Sequence, residues 1–168
     1  MSLKIRLIDD PILRKPCEPI DVWTANVLFD IDKLLDAMNS TMRAEQGVGL
    51  AANQVGYSIR VFILKDNATY KVFINPEIVS QSEPVDFEGE GCLSIPGASA
   101  MTKRYRQIRL KWVCRDGINR EADFLDSEAF AVQHEMDHLD GKLYVDQLGP
   151  LRRELVLNKH KKYLKFRR

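Results

Sequence analysis

The chain has 168 residues, 45% hydrophobic and 29% charged, which suits one domain (1–168) with a real core and excludes disordered and collagen-like classes. Its net charge of +1 hides an asymmetry: residues 149–168 hold eight Lys/Arg against one Glu, the remainder seventeen against twenty-three, or +7 and −6. No apolar run approaches the roughly 20 residues that span a bilayer, and the N-terminus has no signal-peptide core, so a cytoplasmic protein without membrane attachment is expected.

Asp10-Pro11-Ile12-Leu13-Arg14 opens an extended or turn-rich lead-in, where Pro16 and Pro19 deny a helix, and it is expected to lie over the surface. Three cysteines, Cys17, Cys92 and Cys114, are odd in number and far apart, which argues for a reducing compartment. Cys17 and Cys114 read as packing thiols. From Thr24 to Ala44, Val27, Leu28, Ile31, Leu34, Leu35, Met38 and Met42 recur at three and four, an amphipathic helix closed by Gln46-Gly47.

Gly47-Val48-Gly49-Leu50-Ala51-Ala52-Asn53-Gln54 is dense in small residues, so backbone must approach something closely there. It lacks the G-K-[ST] ending of a phosphate loop and follows no strand. Gln54 is its polar group best suited to hydrogen-bond a carbonyl or oxyanion. Short strands are predicted over 60–64, 70–75 and 77–81, broken by Pro76 and Pro84, with further extended character over 85–93 and 99–114. Asp116-Gly117 is a hairpin turn into a strand over 119–124.

A helix of about 14 residues then follows, with Asp126 as N-cap, Leu125 stapled on Phe130, and Gly141 as the left-handed stop. It carries Gln133-His134-Glu135-Met136-Asp137-His138. His134 and His138 stack on one face and can bind one ion, while Glu135 can reach a water at that ion without ligating it. Val132, Met136 and Leu139 form a second apolar stripe, so the helix reads as buried.

A catalytic metal needs a third protein ligand. Tyr144 stands where one protease class, H-E-x-x-H-x-x-G-x-x-H, has its third His, which rejects that class. Asp146 and Glu154 are downstream carboxylate candidates, but the thiolate of Cys92 matches a borderline-soft divalent ion better. Gly149-Pro150 starts a C-terminal helix with Leu151, Leu155 and Leu164 expected inward and lysines outward.

Three stretches, G-V-G-L-A-A-N-Q at 47–54, E-G-C-L-S at 90–94 and Q-H-E-M-D-H at 133–138, together resemble peptide deformylase in order and spacing, and the lead-in at 10–14 extends the likeness over essentially the whole chain. The resemblance implies an α+β fold in which antiparallel β-sheets surround a central buried helix carrying H-E-x-x-H, flanked by the N-terminal amphipathic helix and the C-terminal helix. It implies removal of the formyl group from the N-terminal formyl-methionine of new proteins. Cys92, His134 and His138 would then be metal ligands and Glu135 the acid/base residue. Gln54 and the backbone N–H of Leu93 would hold the oxyanion, and Glu90 with Arg104 would support the site. Val48, Gly49, Leu93, Phe130 and Ala131 would line the methionine pocket.

Ferrous iron is the native metal the resemblance implies, with Zn2+, Ni2+ or Co2+ able to take its place. A formyl-methionyl peptide is the expected partner, the chain is expected to act as a monomer, and the basic C-terminal helix is expected to dock on the phosphate surface of the ribosome. Two departures from the family pattern stand out: Ser99 replaces a basic residue that touches the substrate backbone in some relatives, and 124–128 holds extra residues near the pocket wall. A zinc endopeptidase using Asp146 or Glu154, and a metal-stapled binding module without catalysis, are the competing readings.

Overall fold

The computed structural model describes residues 2–21 and 25–166, with the backbone alone for 25–30. Met1, the predicted helix start at Thr24 and the terminal Arg167 and Arg168 of the basic tail lie outside the described residues, as do the side chains of Val27 and Leu28. In chain order the elements are α1 (Ala25–Ala44), β1 (Gly49–Ala51), β2 (Val61–Asp66), β3 (Thr69–Gln81), β4 (Pro84–Gly91), β5 (Ser99–Tyr105), β6 (Gln107–Val113), β7 (Asn119–Leu125), α2 (Asp126–Leu139) and α3 (Pro150–Phe166). The strands make a five-stranded antiparallel sheet, β1-β2-β3-β6-β7, and a separate antiparallel pair, β4-β5.

Why the sheet folds this way is visible in β2, Val61-Phe62-Ile63-Leu64, which is buried on both faces and so reads as a continuous apolar run. Val61 and Ile63 meet Ile31, Leu35, Met38 and Met42 of α1. Phe62 and Leu64 project to the other face, toward Ala129, Val132, Met136 and Leu139 of α2. The sheet is therefore a layer between two helices. Under α2 the rings of Phe62 and Phe73 stack at 4.5 Å, and Phe73 meets Trp112 at 5.2 Å and Phe124 at 5.8 Å, each pair adding about 0.5–1.5 kcal/mol beyond its buried area.

Several expectations change. Pro76 does not end a strand: β3 runs through it, because a register shift between Ile74 and Glu77 places the missing N–H at an irregularity. Asn75, at φ 48°, exchanges side-chain hydrogen bonds with both backbone groups of Ile20 at 2.7 and 2.9 Å, tying the lead-in to the sheet. That lead-in is not wholly superficial: Leu13 and Cys17 are buried, and Cys17 N–H donates to the Leu139 carbonyl at 2.8 Å. Pro11–Arg14 forms one short 3-10 turn capped by Asp10. Burial pushes the Cys17 thiol up to about 11, whereas Cys114 sits at the β6–β7 hairpin and donates to Asp116 at 2.6 Å rather than packing in the core.

At α2 the N-cap is Leu125, without a side-chain cap bond, and Asp126 is the first helical residue at φ 48°. No staple forms there, since Leu125 is exposed and Phe130 packs on Phe87 of β4 at 4.7 Å. Gly141 does take the left-handed stop at φ 71°. The helix spans 14 residues, touches β1, β2, β5, β6 and β7, and is buried or half-buried from Ala129 onward.

The C-terminal helix turns a different face inward than its leucines suggested. Leu151 and Leu155 are exposed, while Val156 and His160 are buried. His160 Nδ1 lies 2.9 Å from the Pro96 carbonyl, and Tyr163 packs so closely on Gly97 that a Cβ there would overlap its ring. The helix is held by a loop rather than by a leucine stripe, a contact that periodicity alone does not reveal.

Candidate metal centre

Helical spacing brings His134 and His138 together with ring centroids 5.0 Å apart. Immediately after β4, Cys92 approaches from the opposite side, its Sγ 3.2 Å from His138 Nε2. One donor atom from each of the three residues lies within 4.8 Å of the others. These separations bracket the spacing of about 3.5 Å that donors keep around a tetrahedral ion bound at about 2.0–2.3 Å. Two nitrogens and a thiolate also suit a borderline-soft divalent cation, so the residues present fit the metal that the sequence implied. Asp146 lies outside this group, accepting from Arg14 at 2.6 Å and from Leu143 N–H at 2.9 Å, and Glu154 is exposed.

Glu90 organises the histidine side. Its Oε1 lies 2.6 Å from His134 Nδ1, leaving Nε2 to face the cysteine. The same carboxylate accepts from Thr102 Oγ1 and from Arg104 Nε (3.0 Å) and Nη2, and Arg104 Nη1 reaches Asp137 at 2.7 Å. Burial alone would raise the Glu90 pKa, but hydrogen bonds from His134 and Arg104 bring it down to about 2. Burial likewise opposes charge on His134, yet its bonds to Cys92 and Glu90 hold its pKa well above the usual imidazole range. His138 goes the other way, lowered by burial and by the neighbouring His134 charge.

Glu135 points off the histidine face toward β1 and is buried, which pushes its carboxyl up to about 7. Its Oε2 and His138 Nδ1 are buried without a hydrogen-bond partner among the described residues. Gly49 is required beside it, because a Cβ there would overlap the Glu135 carboxylate. Gln54 is oriented by its own turn: Oε1 accepts from Ala51 N–H at 2.9 Å, so Nε2 faces Ser94 Oγ (3.1 Å) and Cys92 Sγ (3.5 Å). Leu93 follows Cys92 on the same loop, and Gly47 leaves room for its side chain.

A cavity of about 770 Å³ opens onto Cys92, His134, Glu135 and Gln54 and is also bounded by Val48, Gly49, Leu93, Phe130 and Ala131. Val48 sits at its mouth, 67% exposed. His138 is not on the cavity wall and closes the donor set from behind. Ser99 is exposed on β5 opposite Gly91, while Ser127 and Glu128 of the extra stretch reach the cavity.

Sequence reasoning missed Thr102, Asp137, Phe87 and Asn53, whose Nδ2 donates to the His138 carbonyl at 2.6 Å. The alternation of β5, which buries Thr102 and Arg104 and exposes Met101 and Lys103, was the available signal for Thr102. Register then pairs Thr102 with Phe87.

Residues 2–154 match the polypeptide deformylase family. Peptide deformylases of Pseudothermotoga lettingae and Mesorhizobium japonicum are each 38% identical to this chain, over 95% of it and 90% and 91% of their own lengths. The crystal structure of a peptide deformylase from Legionella pneumophila superposes with a TM-score of 0.92 at 36% identity, over 99% of this chain and 98% of that one. With fold, motif order and donor geometry in agreement, the chain belongs to the polypeptide deformylase family, metal-dependent hydrolases that remove the N-formyl group from nascent peptides.

Proposed function

We propose that residues 1–168 form a single catalytic domain in which Cys92, His134 and His138 hold one divalent ion, natively Fe2+, with Zn2+, Ni2+ or Co2+ as substitutes. The observation that carries this is the meeting of the three donor atoms at the edge of a cavity onto which Cys92, His134, Glu135 and the Gln54 amide open. When bound, the ion polarises the formyl carbonyl and lowers the pKa of a water from about 15.7 to about 7.

Glu135 takes the water's proton as the water oxygen bonds to the formyl carbon, a role suited to a carboxyl that burial pushes up to about 7. Gln54 Nε2 and Leu93 N–H donate to the formyl oxygen as it gains negative charge. As the C–N bond breaks, Glu135 returns a proton to the amine, releasing formate and a free N-terminal methionine. Glu90 keeps His134 in the tautomer that presents Nε2. Gly49, Phe130, Ala131 and, at the mouth, Val48 bound the pocket for the methionine side chain.

The test is direct. The full chain, loaded with iron anaerobically, is expected to release formate from formyl-Met-Ala-Ser and to leave an unformylated, internally cleavable peptide intact. Cleavage within the second peptide would favour an endopeptidase, and inertness to both a binding module.

The same reading places the enzyme in the cytoplasm as a monomer, with α3 docking on ribosomal phosphate. Among the described residues no helix is long and apolar enough to cross a membrane. Lys161, Lys162 and Lys165 are exposed, and each phosphate contact released by salt should steepen the salt dependence. Truncating the helix is a poor probe, because His160 and Tyr163 pack on the loop at 96–97. Changing the three lysines to Gln is instead expected to weaken ribosome co-sedimentation at low salt while sparing turnover of formyl-Met-Ala-Ser. Identical co-sedimentation across a salt series would remove the docking idea.

A further inference from the structure

In the large sheet Gly49 pairs with Leu64, and Leu64 with Lys71, so the three form one row projecting to one face. Leu64 belongs to the core beneath α2, which makes that face the helix side. On α2, Glu128, Ala131 and Glu135 follow at spacings of three and four and share one stripe. The two rows oppose each other: a Cβ on Gly49 would strike Glu135 at one end, and Lys71 Nζ lies 2.6 Å from Glu128 Oε1 at the other. All six residues line the same cavity.

The geometry points to the Lys71–Glu128 ion pair as the far wall of the pocket for the substrate's first side chain, selecting by length and charge what that pocket accepts. This inference rests on the formyl-peptide reading of the cavity. The helix rises about 10 Å between Glu135 and Glu128. A methionine side chain entering beside Glu135 would run over Ala131 and Leu64, and a lysine or arginine side chain, one or more bonds longer, would carry its charge closer to the pair. While the pair is intact its charges satisfy each other, and a cationic side chain meets Lys71 with no free carboxylate to receive it. Removing Lys71 exposes the Glu128 carboxylate at that depth, and removing Glu128 exposes the ammonium.

Both side chains are nearly half exposed, 44% and 45%, so the variants keep the core intact. With the iron-loaded full chain, Lys71→Ala is expected to raise the kcat/KM of formyl-Lys-Ala-Ser relative to formyl-Met-Ala-Ser by about fivefold, the upper size of an exposed ion pair. Glu128→Ala is expected to lower that ratio and to raise the one for formyl-Glu-Ala-Ser. The exchanged variant Lys71→Glu/Glu128→Lys should return both ratios toward the wild-type values. Calorimetric titration of the metal-free variants with acetyl-Lys-Ala-Ser and acetyl-Met-Ala-Ser reads the same preference from affinity, without turnover.

Ratios that stay put in both single variants, or move in the same direction in both, would overturn the end-wall role while wild-type formate release stands. If the wild-type chain released no formate from formyl-Met-Ala-Ser, the formyl-peptide reading would fall and this inference with it.

Discussion

Glu135→Gln is expected to keep the fold and bound metal but to lose formyl-Met-Ala-Ser turnover by a factor on the order of 10² or more, the contribution of a positioned acid/base group. Cys92→Ala, His134→Ala and His138→Ala are expected to lose tightly bound metal itself. The separation follows from geometry. Donors from Cys92, His134 and His138 meet within 4.8 Å, whereas Glu135 projects toward Gly49, in keeping with the proton-transfer role proposed for it. The amide of Gln is nearly isosteric with the carboxyl but has no basic oxygen, so it fits against Gly49 and still cannot take a proton. Metal content by elemental analysis, read beside turnover, distinguishes the two classes. Stoichiometric metal and full activity in Cys92→Ala would show that the thiolate is not a ligand, and metal loss in Glu135→Gln would move Glu135 into the coordination sphere.

Much of this site was legible because its chemistry is local in sequence. Helical periodicity alone puts His134 and His138 one turn apart, and donor softness alone ranks Cys92 above Asp146. The double-faced burial of β2 likewise shows as the run Val61-Phe62-Ile63-Leu64. What escaped was decided by tertiary contact. Leu151 and Leu155 have inward-facing spacing, yet the loop at 96–97 captures His160 and Tyr163 and turns the leucines to solvent. Pro76 carries a breaking signal, but a register irregularity absorbs it within one strand. The Asp126 cap was a local propensity overridden at the β7–α2 junction, where Asp126 N–H donates to the Arg106 carbonyl at 2.8 Å. Asn53 and Asp137 lie inside the motif stretches at 47–54 and 133–138, but their roles depend on partners far away in sequence, the His138 carbonyl and Arg104, and Thr102, which bonds Glu90, lies in no motif.

Arg104→Ala is expected to be the most destabilising single change outside the donor set, by about 3–5 kcal/mol, because it leaves one side of a buried ion pair without its partner. Arg104 and Glu90 side chains are 4% and 2% exposed, so solvent offers little screening. The guanidinium bonds the Glu90 carboxylate through two nitrogens and Asp137 through a third. Its loss strands a carboxylate whose remaining partners are Thr102 and His134. Protonation of Glu90 would relieve the charge but weaken its grip on His134 Nδ1, so metal affinity should fall as well, by about 10–100-fold as for other residues that orient a ligand. Lys at this position keeps a charge but not the planar fork, so Arg104→Lys should recover only part of either loss. Urea unfolding of the metal-free protein reads the stability and competition with a chelator reads the affinity. Stability lost with affinity intact would make Arg104 a folding element alone, and wild-type values of both would mean that water replaces the guanidinium beside Glu90.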